Sequence, residues 1–287
     1  MQAKFTIKDF RKRYPNDDAC LDELLVRKFG TNPDCPNPDC DHETTAFYRV
    51  KGRKCYECQW CGTQVSPTAD TIFHKSATPL ADWFYVMYLM TATRSGVSAK
   101  EVQRQLGVTY KCAWRMCNQI RKAMSESPKL KGKVEMDETY VGGRTTLDKK
   151  FDNKTPVVGA VERGGKVTTE VTQDASATTL QRVIRTYIQE GSTIYTDEWK
   201  GYHRTKRLGY NHLSVIHSAK QWSNGDIHTN SIEGFWSQLK RGISGTYVSV
   251  SPQHLQKYVD EFAFRYNQRS TSVPMFDRLL LNLLRPL

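Results

Sequence analysis

Apolar positions along the chain change texture three times. From residue 6 to 30, Phe10, Leu21, Leu24, Leu25 and Phe29 mark one face of a helical stretch. A turn rich in Pro, Asp and Asn follows, from Asn32 to Asp41. Phe47–Val50 and Lys54–Tyr56 then read as short strands around a turn at Gly52. Cys58-Gln59-Trp60-Cys61-Gly62 is a second tight turn, and Pro67 to Pro79 a connector.

From Leu80 to Met124 the pattern is helical. Leu80–Thr93 is a bulky apolar helix broken at Gly96; Ser98–Leu106 is a short helix with Ser98 and Glu101 at capping-box spacing. Gly107 turns the chain into a longer helix, Thr109–Met124. Pro128 to Lys133 is a basic linker and a candidate boundary. Beyond it, Lys133–Val141, Thr155–Glu162, Lys166–Thr172, Ser192–Thr196 and Leu213–His217 read as strands. Gly164-Gly165 marks a hairpin between the second and third, and Arg144–Lys154 is a polar loop. Helices are expected over Thr178–Glu190, Asn230–Gly242 and Pro252–Arg269. The predicted organisation is an N-terminal helical segment (1–30), a metal module (31–66), a helical module (67–128), a mixed α/β domain (129–270) and a C-terminal tail (271–287).

Composition narrows the function. The chain has 287 residues, 38% of them hydrophobic and 25% charged, with a net charge of +12. That is an ordinary globular composition with a basic excess suited to a polyanion such as nucleic acid. The longest apolar stretch, Trp83 to Met90, is far short of the ~20 residues of a membrane helix. Met1 to Arg13 is polar, without the apolar centre of a secretory signal, so a reducing compartment is expected.

In that setting, five of the eight cysteines falling between residues 35 and 61 argue for metal rather than disulfides. Cys35-x4-Cys40 and Cys58-x2-Cys61 are two knuckles, each on a tight turn. Four soft thiolates suit one structural Zn²⁺ in a zinc ribbon. Cys55 and His42 remain spare donors.

Ser98–Leu106, Gly107 and Thr109–Met124 have the layout of a helix-turn-helix. Val102, Leu106, Val108, Ala113, Met116, Cys117 and Ile120 form its inner face. Tyr110, Lys111, Arg115, Asn118, Arg121 and Lys122 are left outward for phosphates and base edges. An ordinary helical hairpin with a solvated basic face has the same pattern.

Three acids stand out. Asp137 sits in an apolar strand, where a carboxylate is costly unless paired or metal-bound. Asp197 follows the strand ending at Thr196, a favoured place for ligand sites in α/β folds. Glu233 follows Asp197 with 35 residues between them, near the start of a helix. Asn230, three before it, and Lys240, seven after it, share its face. Carboxylates converging on a pair of divalent cations, Mg²⁺ or Mn²⁺, suit phosphodiester chemistry, with Lys240 facing DNA phosphate. Asn230 to Glu233 also has capping-box spacing, and Asp137 could be a turn acid before Gly142. Glu138 and Glu198 read as supporting or solvated acids. No nucleophile elbow, P-loop or dinucleotide motif is present.

At these residues the chain resembles the IS1595 family of transposases, which carry an ISXO2-like transposase domain. The resemblance runs from about Cys35 to Arg269. It is carried by Cys58 to Ser76, Pro79 to Phe84, Gln103 to Lys111, Asp137-Glu138-Thr139-Tyr140-Val141-Gly142-Gly143 and Thr196-Asp197-Glu198. His228-Thr229-Asn230-Ser231-Ile232-Glu233-Gly234-Phe235-Trp236, Lys240-Arg241-Gly242 and Phe264-Arg265-Tyr266-Asn267-Gln268-Arg269 complete it.

The resemblance implies an RNase H-like catalytic domain behind a zinc ribbon and a helix-turn-helix. It implies a DDE-type site of Asp137, Asp197 and a third residue, Glu233 or Asn230, with Glu233 favoured by its spacing to Asp197 and Lys240. Two Mg²⁺ (or Mn²⁺) per active site are implied, with Arg241 beside Lys240 at the DNA. Such an enzyme binds the terminal inverted repeats of its element, cuts there, and joins the 3′-OH ends to target DNA. Its partner is double-stranded DNA, its assembly a dimer or larger, and its setting the prokaryotic cytoplasm, nucleoid-associated and away from membranes. The alternatives are a domesticated or inactive transposase acting as a DNA-binding protein, and a nuclease or resolvase that cuts without joining. Two departures from relatives are the four-residue gap of the first knuckle and Asp70, where relatives often have Gly.

Overall fold

The computed structural model describes residues 4–40, 46–143, 154–197, 200–202, 205–215 and 228–284. His42, Glu198 and most of the predicted loop after Gly143 lie outside them. The fold is mixed α/β, and the chain divides into two compact units. One comprises Met1–Arg94, Ala99–Ala123 and Thr271–Leu287; the other comprises Ser95–Ser98 and Met124–Ser270.

In the first unit, the expected N-terminal helix is two helices, α1 (Ile7–Arg13) and α2 (Asp17–Phe29). Pro15 explains the break, since it restricts the backbone of Tyr14 and has no N–H to donate. Each helix starts on its own cap. Thr6 and Asp9 exchange hydrogen bonds in a capping box, and the Asn16 side chain accepts from the Ala19 N–H at 2.9 Å.

The metal module is an antiparallel sheet of β1 (Phe47–Arg49), β2 (Tyr56–Cys58) and β3 (Gln64–Val65). The second strand lies nearer the knuckle than Lys54–Tyr56, and the two-residue third strand is too short to leave a periodic trace. Next come α3 (Leu80–Ala92), α4 (Ala99–Leu106) and α5 (Tyr110–Lys122), close to the expected bounds.

Residues 271–287, expected as a tail, contain a helix, α9 (Met275–Leu283). Its Phe276, Leu279, Leu280 and Leu283 are buried. Phe276 packs against the rings of Phe5, Phe10, Tyr14 and Phe84, and Asp277 accepts from Arg13 and Arg27. The chain's last helix is therefore part of the first unit's core.

The second unit is built on β4 (Lys133–Gly142), β5 (Lys154–Glu162), β6 (Val167–Val171), β7 (Thr193–Thr196) and β8 (Asn211–Ser214), in the order β6-β5-β4-β7-β8. β5 runs antiparallel to its neighbours β4 and β6, while β7 and β8 run parallel to β4. The predicted strand at Leu213–His217 begins earlier, at Asn211.

Side chains of β4 alternate between two cores. Val134 and Met136 pack with α6 (Ala177–Tyr187) through Leu180, Val183 and Ile184. Val141 belongs to the opposite core, with Ile232, Phe235, Trp236 and Leu239 of α7 (Asn230–Gly242) and Leu255, Val259 and Phe262 of α8 (Pro252–Gln268). The exposed edge of β6 is closed by side chains of α8. Asn267 accepts from the Val167 N–H at 2.7 Å and donates to its carbonyl at 3.0 Å, while Gln256 accepts from the Val171 N–H at 2.7 Å. Two amides thus take the place of a sixth strand, which protects the edge from pairing with another chain.

Candidate active site

β4 and β7 bring the first two acids together. Their parallel register pairs Glu135 with Tyr195. Asp197 directly follows Thr196, the last residue of β7, and Asp137 lies two residues further along β4, on the same face as Glu135. This is the face covered by α7. From α7, the Trp236 indole N–H donates to Asp137 Oδ2 at 3.0 Å. Burial pushes the Asp137 carboxyl up to about 7, and the charges of Glu138, Asp197 and Glu233 push in the same direction. Four carboxylates, Asp137 and Glu138 of β4, Asp197 just after β7 and Glu233 of α7, therefore share one electrostatic environment.

Glycine makes room for this arrangement. Gly159 on β5 stands opposite Asp137. A Cβ there would come within 2.6 Å of two atoms of the Trp236 ring and 3.0 Å of Ile232. Trp236 is itself buried. Gly159→Ala is expected to displace the ring that bonds Asp137, at a cost of about 2–3 kcal/mol. A urea melt reads this directly, and an unchanged midpoint would show that the ring has room.

Glu233 is exposed. α7 begins at Asn230 with Thr229 as its N-cap, so Glu233 falls one residue beyond the capping-box position. The Thr229 side chain does not cap the helix; its hydroxyl donates to Glu233 Oε1 at 2.8 Å. The free N–H groups of Ser231 and Ile232 are instead taken by Glu135, at 2.7 and 3.2 Å. The capping alternative for Glu233 is thus not realised, because a carboxylate from β4 does that task. Asn230, Lys240 and Arg241 are all exposed, Asn230 in the first turn of α7 and the other two in its last.

Glu138 points to the other side of the sheet, where the buried Tyr202 hydroxyl donates to it at 2.8 Å. Burial raises its carboxyl, and Asp197 adds to the shift. Sequence reasoning overlooked Glu135, Trp236 and Gly159. The strand alternation that puts Val141 in the α7 core also puts Glu135 on the face of Asp137, and that signal was present in the sequence.

The cysteine cluster lies in the first unit. The sulfurs of Cys35, Cys40, Cys58 and Cys61 all fall within 4.8 Å of one another, Cys35 to Cys61 at 3.5 Å and Cys40 to Cys58 at 3.8 Å. Tetrahedral Zn²⁺ with ~2.3 Å bonds needs sulfurs about 3.8 Å apart, so the four residues fit that ion. Each knuckle is held by its own turn. The Cys40 N–H bonds the Asn37 carbonyl at 3.1 Å, and the Gly62 N–H bonds the Cys58 carbonyl at 3.0 Å with Gly62 at φ +71°. Cys55 is buried apart from the cluster, its thiol donating to Gln64. The longer first gap is accommodated without losing the four-sulfur geometry. Asp70 adopts φ +58°, the left-handed region where glycine is unstrained.

In the helical module, the Thr109 side chain caps α5 by accepting from the Cys112 N–H at 3.2 Å. Tyr110, Lys111 and Lys122 are exposed and Asn118 is half-buried. Arg115 is exposed, yet its guanidinium lies by Ser76 and Thr78 and over the Trp83 ring. Arg121 corrects the expected outward set, being only 2% exposed. It shares its helix face with Cys117 and Ile120, and a long aliphatic stem can pack there.

A mixed α/β domain with carboxylates near the point where the parallel pairing of β4 with β7 ends, in a chain with a four-sulfur cluster, defines the class. The family follows from comparison: residues 129–267 match the ISXO2-like transposase domain, and this domain belongs to that family. The chain is 27% identical to an uncharacterized protein in transposable element ISH50 of Halobacterium salinarum, with 79% of this chain and 84% of that protein covered. It is 28% identical to an uncharacterized transposase-like protein of Haemophilus influenzae, over 36% of this chain and 81% of that one. A chain in the crystal structure of a pre-cleavage Mos1 transpososome aligns with a TM-score of 0.31 at 10% identity, covering 71% of this chain and 76% of that chain.

Proposed function

We propose that the protein is a DDE-type transposase that cuts DNA at the ends of its element and joins the freed 3′-OH ends to target DNA. The observation that carries this is the placement of Asp137 on β4 and of Asp197 just past the end of the adjacent parallel strand β7, with Asp197 and Glu233 both close enough to raise the Asp137 carboxyl. The sheet order, three antiparallel strands followed by two parallel to the central one, supports an RNase H-like reading of the domain.

Asp137, Asp197 and Glu233 would hold divalent cations, with Asn230 as a co-ligand at the mouth of the cluster. Their hard oxygens suit Mg²⁺ or Mn²⁺, and their mutual repulsion is relieved by a cation. Among the described residues, no three carboxylates come as close together as the four sulfurs do. When bound, such ions activate the attacking oxygen and stabilise the leaving 3′-oxygen.

The chain's own groups orient the site. Trp236 fixes one oxygen of Asp137, and the Thr229 hydroxyl fixes one of Glu233. Lys240 and Arg241, two turns along α7, present positive charge for DNA phosphate. The four-sulfur module, as a zinc ribbon, and the α4–α5 pair, as a helix-turn-helix with Lys111, Arg115 and Lys122, would recognise the terminal repeats. Joining two ends in one event calls for at least two copies on DNA.

The test is a joined-product assay on the inverted repeats that flank the gene in its host. Asp197→Asn is expected to bind the element ends as the wild type does and to lose strand transfer by on the order of 10³-fold or more. Retained transfer would remove Asp197 from the site. End binding without transfer by the wild type would favour a DNA-binding protein, and cleavage without joining a nuclease.

A further inference from the structure

Glu135 is fully buried on β4, on the same face as Asp137 and two residues before it. Its carboxylate collects donors from three directions. Arg163 Nε reaches Oε1 at 2.7 Å, from the turn after β5. The Ser231 N–H and Ile232 N–H reach Oε2 at 2.7 and 3.2 Å, and the Ser231 hydroxyl reaches Oε1 at 3.1 Å, all from the first turn of α7. His228 Nδ1 lies 3.2 Å from Oε1. Arg163 in turn donates to the His228 carbonyl at 2.8 Å and stacks its guanidinium 4.1 Å over the Tyr195 ring of β7.

A local Ser, Thr, Asp or Asn cap would serve the helix at lower cost than a buried charge. Here the residue at the N-cap is a threonine whose hydroxyl turns to Glu233 instead. That division of labour depends on Glu135 taking the helix N–H groups.

We propose that Glu135 is the positioning residue that sets Glu233 against Asp137. It ties the strand of the first acid, two residues from that acid, to the helix of the third, one and two residues from that acid. Arg163 and Tyr195 extend the tie to the strand of the second. This rests on the carboxylate reading of the site. Its consequence is that the affinity of the acidic cluster for divalent cations depends on Glu135, although Glu135 holds none of them.

Direct Mn²⁺ binding, followed by loss of the free-ion paramagnetic resonance signal, tests this on the full zinc-loaded chain. The wild type is expected to bind Mn²⁺ saturably, and Asp197→Asn to lose that binding. Glu135→Gln is expected to weaken it tenfold or more. Ser231→Ala, which removes one donor and keeps the backbone bonds, is expected to weaken it about threefold and covers the case in which Glu135→Gln does not fold. Asn267→Ala, which disturbs the edge of β6 two strands away from β4, serves as a control for general destabilisation and is expected to leave Mn²⁺ affinity unchanged. Wild-type Mn²⁺ affinity in folded Glu135→Gln, or in Ser231→Ala, overturns the inference. So does an equal weakening in Asn267→Ala. Undiminished Mn²⁺ binding by Asp197→Asn would instead defeat the carboxylate reading, and this inference with it.

Discussion

Asp137→Asn is expected to make the protein more stable at pH 8 without added divalent cations, and inert in strand transfer. The folded state holds the Asp137 carboxyl at about 7, against 3.8 for an ordinary aspartate. Between those values the folded chain binds more protons than the unfolded chain, so this group's contribution to stability falls as pH rises through that window. Above about pH 7 the penalty is complete. Asparagine keeps the shape and the bond from Trp236 and carries no charge. The full shift corresponds to about 4 kcal/mol as a ceiling, and water reaching the half-buried group reduces it to on the order of 2 kcal/mol. For a unit of this size that is a rise of roughly 4–8 °C in melting temperature at pH 8. The gain should shrink towards pH 4, where the wild-type carboxyl is protonated in both states.

Added Mg²⁺ should raise the wild-type melting temperature at pH 8 and leave the variant's nearly where it was, because binding to the folded state alone stabilises it. The same substitution should cost on the order of 10³-fold or more in strand transfer. A melting temperature at or below the wild type's at pH 8, without added cation, would show that the acid is not strained by its neighbours.

Removal of one cluster thiolate, as in Cys58→Ser, should abolish stoichiometric zinc and unfold the ribbon. Its three strands have three, three and two residues, too few to fold on their own hydrogen bonds. Structural Zn²⁺ contributes about 10–16 kcal/mol in small modules of this kind, far more than so small a core can replace. The measurements are zinc content per chain and protease cutting between residues 31 and 66. Cys55→Ser should retain one zinc and resist the protease, because the Cys55 sulfur bonds Gln64 outside the cluster. Equal zinc loss in both variants would reassign the ligand set. The second unit, with two cores of its own, should keep its melting transition in either variant.

Much of this was legible along the chain. Two cysteine knuckles, the helices α3 to α5, α7 and α8, and the hairpin at Gly164-Gly165 all rest on patterns that close within a few residues. Other features were legible and overlooked. Phe276, Leu279, Leu280 and Leu283 repeat at helical spacing, yet what makes α9 part of the first unit is the aromatic cluster from the opposite end of the chain. The polar pattern leaves Arg121 outward, whereas its place one turn beyond Cys117 puts it inside. Pro15 was a visible break in the first helix.

The sequence by itself determined the local chemistry of this protein: four thiolates on two turns, acids at the end of a strand and the start of a helix, and a basic charge excess. Those depend on spacing within one element, where backbone geometry leaves few choices. Only the tertiary structure decided which acids meet. Asp137 and Asp197 feel each other's charge because β4 and β7 pair in parallel, and Glu138 meets the Tyr202 hydroxyl because side chains alternate along a strand. Glu233 escapes its capping role because Glu135, nearly a hundred residues earlier, reaches the same helix end. Contacts between residues so far apart are set by register and packing, and no spacing along the chain encodes them.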